Sequence, residues 1–155
     1  VSAYDEQVLA AERALLIGGL EALGRIGGAQ GAGPAGADGG AAGARFSARR
    51  LREDRASETV QMPLPADEAD ATVTALLAGA GDPLEAPIAG APNPERWAIV
   101  GGGTGGLNPV VVRIELAPSP EGTTATIHAV AKEGLIRQRA ATKTAARLRN
   151  QMAGN

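Results

Sequence analysis

One histidine and no cysteine leave this chain a short inventory for catalysis. The missing cysteine removes the thiolate nucleophile, disulfides and the soft metal ligand. His128 stands beside Thr126 on the polar side of an alternating segment, with Arg113 and Glu115 expected on an adjacent strand. An imidazole there becomes a general base only if a carboxylate such as Glu115 orients it; otherwise it is a solvated surface side chain. Ser2, Ser47, Ser57 and Ser119 fall in termini or loops, and none occupies a GxSxG elbow. Asp67, Glu68 and Asp70 resemble a metal cluster in composition, but capping and the helix dipole account for carboxylates crowded at a helix start. Neither an EF-hand loop nor HExxH occurs. No catalytic residue, metal ligand or cofactor is therefore assigned.

The run Gly101-Gly102-Gly103-Thr104-Gly105-Gly106 fits GxGxxG and follows a strand. A dinucleotide site needs those amides to open a helix, whereas here Leu107-Asn108-Pro109 leads into the β-branched Val110–Val112. The run is read as a hairpin loop whose amides could hold an anion or a partner's carboxylate. No GK[ST] is present, which excludes a Walker loop.

Charge is segregated along the chain. Asp67 to Glu95 contains six acidic residues and no basic one, while Lys132 to Arg149 contains six basic residues against Glu133 alone. Arg137, Arg139, Lys143 and Arg147 are the candidates for binding an anion or an anionic partner. The plain alternative is a pair of complementary helix surfaces. Nucleic acid would suit a basic helix helped by the arginines of residues 45–55, but a net charge of −2 and only one Trp, one Tyr and one Phe argue against it.

These residues must be held by a fold poor in aromatics, so the core is expected from Val, Leu, Ile and Ala. Within the 155 residues, 22 glycines and 10 prolines put a sizeable share of the chain into loops. Residues 1–26 read as an N-terminal helix, with Val8, Ala11, Leu15, Leu16, Leu20 and Leu23 at three- and four-residue steps and Ser2 or Asp5 as cap. Residues 27–44 have no apolar period and are expected as a Gly/Ala-rich flexible linker. Residues 45–155 are expected as an α+β domain.

In that domain a charge-dense stretch, Arg45 to Glu58, precedes a strand at Thr59–Leu64, and Asp67 caps a helix over Val73, Leu76 and Leu77. A Pro-punctuated loop over 82–95 follows. Strands are expected at Arg96–Val100, Val110–Ala117 and Thr123–Lys132, then a helix at Gly134–Met152 with Ile136, Ala140, Ala141, Ala145, Leu148 and Met152 on one stripe. The order β-α-β-β-β-α with one-sided strands predicts a two-layer α+β sandwich: a four-stranded, mainly antiparallel sheet with helices on one face, preceded by a separate N-terminal helix.

The apolar stretch Val8–Leu23 is broken by Glu12, Arg13 and Glu21, which argues against a membrane span or signal segment. The expectation is a soluble, cytoplasmic protein, and the Ala, Gly, Pro and Arg usage suggests a GC-rich bacterial genome. The leading functional reading is a non-catalytic protein-interaction or assembly module, with the first helix docking on a partner, on a second copy or back on the core. The alternatives are an anion or nucleic-acid binder using the basic C-terminal helix, and a small-ligand or hydrolytic protein centred on His128.

Overall fold

The computed structural model describes residues 2–134 and 136–154. The elements run α1 (Ala3–Ala48), β1 (Arg52–Met62), α2 (Ala66–Ala80), β2 (Gly81–Leu84), β3 (Glu95–Gly102), a 3-10 turn (Thr104–Gly106), β4 (Asn108–Ser119), β5 (Gly122–Glu133) and α3 (Ala140–Ala153). The fold is α+β. One antiparallel sheet has the order β1-β5-β4-β3-β2, five strands where the sequence suggests four. The added strand, β2, comes from the proline-rich loop and pairs only with β3. Pro83 is tolerated there because an edge strand leaves one row of backbone groups unpaired.

Alternation along the strands produces the two faces. Val110, Val112, Ile114 and Leu116 of β4 and Ala125, Ile127 and Ala129 of β5 form the principal core with Val73 and Leu77 of α2 and Ala141, Ala145, Leu148 and Met152 of α3. Burying each of the larger aliphatics stabilises the fold by about 1.5–3 kcal/mol. The alanines of α3 let its axis approach the sheet closely.

The opposite face is covered by the first half of α1. Val8 and Leu16 pack on Trp97, Val111 and Val130. Ion pairs fasten the same contact: Arg55 donates to Glu12 at 2.6 Å, and Glu12 is only 4% exposed. Glu53 accepts from Lys132 at 3.0 Å and from Arg13 at 3.3 Å. Burial by itself would raise the Glu53 carboxyl, yet the hydrogen bonds from Lys132 and Arg55 outweigh it and hold the group down at about 2. Below α1, buried Glu95 accepts from Trp97 Nε1 at 3.0 Å and from Arg113 at 2.7 Å. Charges placed this deep are retained only when paired.

Residues 27–44, expected as a flexible linker, are helical. Helix α1 is broken once, at Ala32 and Gly33, where Gly33 takes φ 62° and ψ −150°, a region that other residues avoid. Pro34 then opens a second arm, at the position where its missing N–H is harmless. The arms run antiparallel. A Cβ on Gly24 would lie 2.5 Å from the Gly40 carbonyl oxygen, and one on Gly28 would lie 2.0 Å from that of Gly36. Glycines four residues apart on each arm thus form a contact surface that lets the backbones meet. Composition signals chain entropy, whereas spacing on a helix gives close packing.

Other boundaries moved for local reasons. The charge-dense stretch splits between the end of α1 and β1, whose side chains alternate in exposure from Asp54 to Met62. Pro65, not Asp67, stands at the N-cap of α2, and Asp67 lies in the first turn. Helix α3 starts at Ala140 rather than Gly134, because Arg139 takes a left-handed conformation at φ 52°. Ile136, expected on the buried stripe, is 78% exposed.

Candidate anion-binding cleft

Strands β3 and β4 are joined by the glycine run, as its sequence context implies, with Gly102 opposite Asn108. Gly103, Gly105 and Gly106 have φ near 70°, so this tight connection needs residues without a Cβ. The run folds down onto the start of α3: a Cβ on Gly102 would lie 3.3 Å from the Ala140 Cβ. The Gln138 side chain occupies the space a Cβ on Gly103 would need. Asn108 Nδ2 donates to the Lys132 carbonyl at 3.0 Å, fastening the glycine loop to the end of β5.

The first turn of α3 is capped by strand carboxylates. Glu133 accepts from the backbone N–H of Gln138 at 2.5 Å and of Ala140 at 2.9 Å. Asp54 of β1 accepts from the Thr142 N–H at 3.0 Å and from its hydroxyl at 3.1 Å. Donors at a helix start that would otherwise attract an anion are therefore occupied. Any anion held nearby must rely on side chains.

Those side chains are present. A cleft of about 530 Å³ lies between the glycine loop and α3, lined by Gly101, Gly102, Gly103 and Gly106 on one wall and by Arg137, Lys143 and Arg147 on the other. Lys143 and Arg147 are one helical turn apart and so share a face. Among the described residues, none of these three cations has a carboxylate partner, whereas Arg149 reaches Glu58 at 3.9 Å. Three of the four predicted binding residues thus converge. Arg139 does not join them; it lines a smaller cleft of about 250 Å³ with Arg52, Glu53, Asp54 and Glu133, and Arg137 stands between the two clefts, lining both.

The complementary-helix explanation of the charge segregation is not realised. Among the described residues no ion pair links α2 to α3: Asp70 is bonded to Arg96 of β3 at 2.5 Å, and Arg149 faces β1. What sequence reasoning missed was the wall opposite the basic helix. The glycine run and the basic residues are separated by two strands in sequence, and only the β3–β4–β5 pairing brings them together.

His128 lies elsewhere. It is half-buried in a cleft of about 510 Å³ bordered by Asp5, Glu12, Arg55, Ser57 and Arg113, with Ser57 Oγ 3.4 Å from Nδ1. Burial first, and then the Arg113 charge, lower its pKa. Glu115 does not orient it: that carboxylate accepts from Asn93 at 2.6 Å and faces Arg113 at 3.5 Å. Among the described residues no group of three or more His, Asp or Glu is arranged to hold a metal ion, and no helix is long and apolar enough to cross a membrane. No protein-family description matches the chain, and no curated protein sequence matches it either.

Proposed function

We propose that this chain is a non-catalytic binding module that takes up an anion, of phosphate or carboxylate type, in the cleft between the glycine loop and α3. The observation that supports it is the convergence of Arg137, Lys143 and Arg147, without carboxylate partners among the described residues, on a wall made of glycine backbone. A glycine wall admits an oxyanion close to the main chain, and charge-assisted hydrogen bonds from Arg and Lys are the strong kind. The near absence of aromatics points to a small anion rather than a nucleic acid. Trp97 is buried under α1, and neither Tyr4 nor Phe46 lines the cleft. Docking of the first helix on a partner or a second copy is the weaker reading, because Val8 and Leu16 already pack on the sheet.

Calorimetric titration with inorganic pyrophosphate tests this. Lys143→Ala or Arg147→Ala is expected to weaken binding about tenfold or more, since each removes a charge-assisted bond of roughly 1.5–3 kcal/mol. Arg149→Ala, outside the cleft and facing Glu58, should leave binding unchanged. Equal losses in all three variants would show diffuse electrostatics and overturn the site. A single-stranded oligonucleotide that bound far more tightly than pyrophosphate, with a steep salt slope, would replace the small-anion reading by a nucleic-acid one.

A further inference from the structure

We propose that the anion is the head of an amphiphile whose alkyl chain lies in a second trough on the other side of the same two loops; this rests on the anion-binding reading above. The trough, of about 520 Å³, is lined by Leu20 and Leu51 at the base of the helical hairpin and by Leu107 and Ile136, with the largely buried Lys132 and Glu133 also bordering it. Leu107 and Ile136 are 68% and 78% exposed, the two most exposed large hydrophobic side chains among the described residues. A single exposed aliphatic is ordinary, but two that converge on one trough with two further leucines form a patch.

Both belong to the segments that build the cationic cleft. Leu107 follows Gly106 directly, Ile136 precedes Arg137 directly, and Gln138 lines both cavities. A ligand with an anionic end and an apolar end therefore has complementary surface for each, a few residues apart. A bare phosphate would leave the trough facing water. The occupant is a single amphiphile and not a bilayer. Gly19 packs on Pro109 beside the glycine loop, and the first arm of α1 continues from Leu20 to Gly31, roughly 16 Å of further helix. An arm of that length beside the trough favours a single amphiphile over a flat bilayer.

The test is calorimetric titration of the full chain with ethyl phosphate, with dodecyl phosphate kept below its critical micelle concentration, with dodecyl maltoside, and with phosphatidylglycerol vesicles. Dodecyl phosphate should bind about 100-fold more tightly than ethyl phosphate, because three or four buried methylenes contribute roughly fourfold each. Leu107→Ser combined with Ile136→Ser should weaken dodecyl phosphate about tenfold and leave ethyl phosphate unchanged. Both positions are exposed, and the buried Trp97 reports by its fluorescence that the fold is intact. Lys143→Ala with Arg147→Ala should weaken both phosphate esters.

Equal affinity for the two esters overturns the amphiphile and leaves the anion site standing. Dodecyl maltoside binding as tightly as dodecyl phosphate, or binding seen only with phosphatidylglycerol vesicles, also overturns it. If neither ester binds, the anion-binding reading itself fails.

Discussion

Gly27 and Gly28 are neighbours in α1, yet alanine at each should act with opposite sign. In a solvated helix, Gly→Ala stabilises by roughly 0.8–1 kcal/mol, because alanine loses less backbone entropy on folding. A Cβ at Gly27 meets nothing within 4 Å, so Gly27→Ala should show that gain. A Cβ at Gly28 lies 2.0 Å from the Gly36 carbonyl oxygen, which must retreat by about 1.4 Å to reach ordinary contact. Backbone rather than a flexible side-chain end is in the way, so the arms must separate. Overpacking of this kind costs about 1–3 kcal/mol, and after the propensity gain the hairpin loses roughly 0–2 kcal/mol. The two variants therefore differ by roughly 1–3 kcal/mol in the local stability of the hairpin. Native-state hydrogen exchange read at the amides of 24–44 measures it directly, since local opening of a peripheral arm is invisible to global unfolding. Slower exchange in Gly27→Ala and faster exchange in Gly28→Ala is the expected pattern. Slower exchange in both variants would refute close packing of the arms.

Two further outcomes follow from the carboxylates that fasten the helices to the sheet. Glu133→Ala removes both acceptors from the start of α3 and leaves the buried Ala140 N–H without its partner, so stability should fall by about 2–4 kcal/mol in urea unfolding followed by Trp97 fluorescence; a loss below about 0.5 kcal/mol would mean that α3 is capped in another way. Against burial, the Lys132 and Arg55 hydrogen bonds hold the Glu53 carboxyl down at about 2 in the folded chain, below the ordinary carboxylate value of 4.5, so its stabilisation is present above pH 4.5 and is lost as pH falls toward 2. With solvent screening this amounts to about 1–2 kcal/mol, and Glu53→Gln should flatten that part of the stability–pH curve; an unchanged acid limb would contradict the Lys132–Glu53–Arg55 network.

Period-two alternation made most of the sheet legible. Val110, Val112, Ile114 and Leu116 fall on one face by pattern alone, and the principal core uses all four. The basic cluster was visible for the same reason, since Lys143 and Arg147 share a helix face whatever the helix packs on. Strand β2 was hidden because Gly81–Leu84 carries a glycine and a proline, and its pairing with β3 depends on an available edge. The start of α3 was misplaced because its cap is Glu133, a strand residue, and no sequence-local capping pattern announces a carboxylate that reaches forward from β5.

The sequence by itself determined the side of β4 and β5 that faces the principal core, where the positive charge lies, and that neither a thiol nor a serine elbow is present; each follows from residue type and local period. Tertiary structure decided three other things. Strand pairing placed the glycine run opposite the basic helix, and two strand carboxylates closed that helix's own N-terminus. The register of four glycines converted a segment of high chain entropy into a packed hairpin. Each of these depends on distances between residues remote in sequence, which composition and local period do not contain.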